Sequence, residues 1–234
     1  MTETEWLACT DPAKMMGHLH ANEENRSSGR GRKRHLFGCA CGRRVVRLMS
    51  ERGRNWLNLG ERYADGLLDR EQLVQLVMQE IDPVHGPNFD NRADMAAWWA
   101  LGPDGIGDSA VAGIAAGEIE NEARRQGAVY RTAVAAERKD QAAVLRDIFG
   151  NPFRPLAVDP SWLSWNDAVV VRLAQAAYED RHMPEGTLDN GVLKILADAV
   201  AEAGCTDLDI LNHCRQLWEH VRGCWVVDLI LGKQ

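Results

Sequence analysis

Residues that start and stop helices punctuate this sequence so densely that a set of short helices is the architecture they leave open. Thr2 and Glu5 have capping-box spacing ahead of Trp6 and Leu7. Asp11-Pro12 pairs an N-cap with a proline at the first helical position and opens a helix through Met15, Met16 and Leu19. Asp69 and Gln72 repeat the capping box before Leu73, Leu76 and Val77, and that helix runs to Asp82-Pro83. Asp65-Gly66, Gly102-Pro103-Asp104-Gly105 and Gly204 read as stops.

Between these marks the apolar spacing is helical. From about Lys33, Phe37, Cys41, Val45 and Leu48 fall on one face, with Arg43, Arg47 and Arg54 turned away from it. Ahead of them, 22–31 is polar and glycine-bearing and reads as a mobile loop, and 82–91, rich in Pro, Gly and Asn, reads as a loop. A second helix holds Trp56, Leu59 and Tyr63, and a short one surrounds Met95, Trp98 and Trp99. Residues 108–149 are alanine-rich and free of proline, which predicts one long helix or two, broken at Gly127. Gly113 and Gly117 there are spaced for close helix approach.

Two prolines make 150–155 an irregular connector, and helices are expected at about 165–182, 189–203 and 207–217. The segment 221–231 is helix or strand by its apolar run, and the lack of a second strand favours helix. The expectation is all-α: an irregular bundle of about eight to ten helices with no substantial sheet. It forms a single domain over 1–234, with 1–150 and 151–234 as the subdivision the connector would allow.

Charge is unevenly distributed. Residues 26–54 hold nine arginines and one lysine against Glu51, a formal +9; with the whole chain at −7, everything else carries −16. Such asymmetry fits either an interaction surface or an internal electrostatic clasp. The acidic start lacks the basic and apolar stretches of a signal peptide, and Cys224-Trp225-Val226-Val227 is too short to span a membrane. A cytoplasmic setting without membrane contact follows, with the six cysteines as reduced thiols. Eight tryptophans against three tyrosines suggest helix junctions pinned by indoles whose N–H groups need partners.

Four motifs carry a resemblance. They are Thr4-Glu5-Trp6-Leu7 with Asp11-Pro12; Leu36-Phe37-Gly38-Cys39-Ala40-Cys41-Gly42-Arg43-Arg44; Gly150-Asn151-Pro152-Phe153-Arg154-Pro155 followed by Trp162 and Trp165; and His213-Cys214-Arg215 with His220-Val221-Arg222-Gly223-Cys224-Trp225-Val226-Val227-Asp228-Leu229. Over nearly its whole length the chain resembles an uncharacterised domain abundant in planctomycete bacteria. The resemblance implies a common fold and a bacterial cytoplasmic setting, and it brings no reaction with it. Similar proteins often have a third cysteine where this chain has Gly42.

The residue types themselves admit three readings. The basic segment points to a non-enzymatic interaction or accessory module, with Arg32, Lys33, Arg34, Arg43, Arg44 and Arg47 meeting an acidic protein partner or a second copy. The same cluster would serve a nucleic-acid-associated protein through phosphate contacts. A metal or thiol site, with zinc as the ion, would be built on Cys214, His220 and Cys224, near His213. No standard zinc spacing, catalytic signature or phosphate-cradling glycine loop accompanies these residues, and packing is the plainer role for the thiols.

Overall fold

The computed structural model describes residues 1–21, 28–81, 89–102 and 108–233. Among them are twelve helices and no sheet. These are α1 (Glu3–Ala8), α2 (Pro12–Ala21), α3 (Ser28–Arg43), α4 (Glu51–Ala64), α5 (Arg70–Met78), α6 (Arg92–Ala100), α7 (Asp108–Arg125), α8 (Tyr130–Phe149), α9 (Pro160–Glu179), α10 (Asn190–Glu202), α11 (Leu208–Arg215) and α12 (Trp225–Leu231). The all-α expectation holds, with more helices than the eight to ten expected.

The punctuation works as its chemistry requires. Thr2 and Asp69 each close a capping box, with Glu5 and Gln72 as the reciprocal partners. Gly127, at φ +69°, divides α7 from α8. The segment 221–231 is helical from Trp225, and only Val221 bridges, to Thr187. The expected helix over 165–182 is interrupted instead: Asn166, Asp167 and Ala168 sit at φ +45°, +60° and +58° and bend α9 after its first turn. The expected loops over 22–31 and 82–91 lie partly outside the described residues, yet Ser28–Gly31 already belongs to α3.

Two apolar clusters make the core. The first is built mainly from α1 to α8 around Trp6, Met15, Phe37, Trp56 and Leu145. The second comes from α9 to α12 around Val170, Tyr178, Leu193, Leu196 and Val226. Helix α3 differs from the amphipathic helix expected: every residue from His35 to Arg43 is buried, Arg43 included. It runs through the first cluster rather than over it, because α4, α6, α7 and α8 all pack against it.

Two consequences are measurable. His35 is 5 % exposed, and burial pushes its imidazole down to about 4 although a hydrogen bond with the Gly102 backbone opposes the shift. A folded-state value below the ordinary 6.5 means the unfolded chain takes up the proton first. Stability is therefore intact above pH 6.5 and falls between 6.5 and 4, by roughly 3 kcal/mol. A denaturant series should show this loss in the native chain, and a His35→Gln chain that loses as much would remove His35 as its cause.

The notch at Gly113 and Gly117 is not filled by a neighbouring helix. A Cβ on Gly113 meets nothing within 4 Å, and one on Gly117 meets only the tip of Arg92 at 3.7 Å. Both border an open groove of about 460 Å³ between α2, α7 and α8. Gly113→Ala and Gly117→Ala should each raise stability by ~0.5–1 kcal/mol through helix propensity alone. A fall in the urea midpoint instead would show that the groove is occupied in solution.

Candidate metal centre

A polar seam joins the two clusters, and three arginines of the basic segment are spent there. Arg32 binds Asp65 at 2.9 Å, Asp228 at 2.6 Å and the Tyr178 hydroxyl at 2.7 Å. Arg43 reaches Glu61 at 2.6 Å, the Pro184 carbonyl at 2.7 Å and Asn58 at 2.8 Å. Arg44 is held by Glu137 at 2.9 Å, Asp140 at 2.8 Å and Glu219. Lys33 and Arg34 are half-buried and engaged within the chain, and Arg47 is exposed. Of the two roles open to this segment, three of its arginines take the internal clasp. Arg47 and Arg54 are exposed, and Arg47 lines, with Arg43 and Arg44, a cavity of about 590 Å³ beside His182, Trp218 and His220.

At the same seam Asp147, His213, His220 and Cys224 bring one donor atom each to within 4.8 Å of one another. Asp147 stands in the last turn of α8 and His213 in the last turn of α11; His220 lies in the loop after it, and Cys224 caps α12. The loop is tied down by its own backbone. Leu188 N–H donates to the His220 carbonyl at 2.8 Å, and Val221 N–H donates to Asp147 Oδ2 at 2.8 Å. Gly223 then turns at φ +94°, where a Cβ would lie 2.9 Å from Leu36. Only glycine makes that turn without strain, and it brings Cys224 inward.

His220 Nδ1 lies 2.6 Å from Asp147 Oδ1, and His213 Nε2 lies 3.1 Å from the same oxygen and 3.2 Å from Cys224 Sγ. Exposure is 6 % at His213, 1 % or less for the Asp147 side chain, and nil at His220 and Cys224. Burial alone would raise the Asp147 carboxyl, but the bonds from His213 and His220 outweigh it and bring it to about 2. Burial lowers His213 even with Asp147 beside it, so its ring is neutral at neutral pH. Burial, then Asp147 and Cys214, push the Cys224 thiol well above its ordinary value.

This geometry disfavours nucleophilic catalysis. A thiolate is the reactive form, and Cys224 is held as a thiol with no exposed surface. In a Cys–His–Asp relay the two ring nitrogens divide between nucleophile and acid. Here His213 Nε2 faces both Cys224 and Asp147. A divalent ion changes the balance, because a coordinating thiol gives up its proton. One carboxylate, one thiolate and two neutral imidazoles exactly match a 2+ charge; a neutral centre is what a buried site requires. A tetrahedral zinc with ~2.0–2.3 Å bonds separates its donors by roughly 3.3–3.8 Å. The observed 2.6, 3.1 and 3.2 Å have to open by up to about 1 Å, and pairs that stand as far as 4.8 Å apart have to close by about 1 Å, to accept it.

The chain matches no family model, no curated protein and no solved structure.

Two of the three residues expected for a metal or thiol site, His220 and Cys224, do come together. Cys214 does not join them. It follows His213 on α11, so it projects elsewhere, and it is packed in the second cluster with its thiol pushed up to about 12 by burial. Asp147, 66 residues upstream of His213, takes the remaining place. One signal could have found it: a carboxylate at buried-face spacing with Val144 and Ile148, in a last helical turn where the dipole disfavours negative charge.

Proposed function

We propose that this chain is a non-enzymatic helical module whose Asp147–His213–His220–Cys224 centre holds a zinc-class divalent ion, pinning α11, α12 and their loop to α8. The observation that carries this reading is four buried donors of three chemical types, drawn from two clusters, within 4.8 Å of one another. All four positions of a tetrahedral ion would be filled by protein, as in structural rather than catalytic zinc sites. Protein purified without chelators should contain close to one equivalent of zinc by elemental analysis, and Asp147→Asn and Cys224→Ser should lose it. Less than about a tenth of an equivalent, before and after zinc addition, would sink the reading.

A second reading keeps the basic segment as a partner surface, for an acidic protein, a second copy or a nucleic acid. It is supported by exposed Arg47 on the wall of the 590 Å³ cavity. Salt-dependent retention that Arg47→Glu abolishes is the result it requires.

A further inference from the structure

The partner of His213's second nitrogen is of the wrong kind for a metal ligand. Histidines that bind metal through one ring nitrogen normally donate the N–H of the other to a carboxylate, a carbonyl or water. His213 turns Nε2 toward Asp147 and Cys224, but its Nδ1 receives the indole N–H of Trp225 at 3.0 Å. A neutral ring carries one proton, and an Nδ1 that accepts from the indole forces that proton onto Nε2. Nε2 is the atom that must offer its lone pair to the ion.

We propose that Trp225 is a positioning residue that holds His213 in the tautomer unable to bind metal, so that zinc loading has to turn the indole away. This rests on the metal reading above. Loading moves the ring proton to Nδ1, where it would meet the indole N–H as donor against donor, and the Cys224 thiol proton leaves to solvent. The indole has room to withdraw. It is half-buried, forms a wall of a cavity of about 210 Å³, and lies against Gly150, where a Cβ would come within 3.1 Å of the ring. Trp225 thus sets the affinity of the centre without touching the ion, and its effect is to weaken binding.

The expected results run against the usual effect of deleting a hydrogen bond. Trp225→Phe removes the N–H and keeps an aromatic ring, so zinc binding measured against a chromophoric chelator should tighten about tenfold, the equivalent of one hydrogen bond. Imidazole ¹⁵N spectra of the metal-free native chain should show His213 with its proton on Nε2, and zinc should move it to Nδ1. If Trp225→Phe folds poorly, the spectra of the native chain still decide. A proton already on Nδ1 in the metal-free protein overturns the proposal, as does a folded Trp225→Phe chain that binds zinc equally or more weakly. Zinc in neither chain overturns the metal reading and this proposal with it; zinc in both at equal affinity overturns only the role of Trp225.

Discussion

Adding zinc to the metal-free protein should raise its melting temperature by about 10 °C. An ion that binds only the folded state stabilises it by RT ln(1 + [L]/Kd), ~4 kcal/mol when free zinc is a thousand times Kd. For a chain of 234 residues each kcal/mol is worth roughly 2–4 °C. The gain should disappear in Asp147→Asn and in Cys224→Ser, because each takes one negative charge from a centre that is neutral only with both. Magnesium should give none of it, since a hard ion of octahedral preference is poorly served by a thiolate and two imidazoles. Equal shifts from zinc and magnesium would mean that the ion acts elsewhere.

Asp65→Ala should cost ~3–5 kcal/mol, the usual penalty for leaving a buried ion pair half-made. Asp65 follows the C-terminus of α4 with a side chain that has no exposed surface. It accepts from Arg32 at 2.9 Å, from Arg222 Nε at 2.7 Å and from the Tyr178 hydroxyl at 2.7 Å. Removing it leaves two guanidinium groups facing each other and a phenol with no acceptor. Burial tends to raise this carboxyl, but Arg222, Tyr178 and Arg32 together lower it below its ordinary 3.8. Its contribution is thus full above that value and is lost as the pH falls through the folded-state pKa. Asp140→Ala is the control. Asp140 also binds an arginine of the segment, Arg44, but its side chain is 55 % exposed, and the change should stay within about 1 kcal/mol. Comparable urea midpoints for the two variants would refute the distinction between seam and surface.

Local chemistry was legible in the sequence and long-range pairing was not. Thr2, Asp69 and Gly127 act where their residue types require, because a cap or a left-handed turn involves only neighbours along the chain. The spacing turns Arg43 away from the apolar stripe, yet it is 4 % exposed because Glu61 of α4 comes to meet it. A helical wheel holds no information about a carboxylate on another helix. The centre shows the same division. His213, His220 and Cys224 lie close enough in sequence to be noticed together, whereas Asp147 enters from α8 only once the chain has folded back. The charge imbalance did point to a clasp, since +9 beside −16 within one chain invites neutralisation, but it did not say which acids supply it.

The clasp also sets a timetable for synthesis. Arg32 and its partner Asp228 are 196 residues apart. At about 5–20 residues per second the ribosome needs roughly 10–40 s to supply the second after the first. Asp65 and Glu61 follow early in that interval, 33 and 18 residues after Arg32 and Arg43, so through most of it Arg32 has one of its two carboxylates and lacks the other. Asp228 on α12 then completes a pairing that an early helix began.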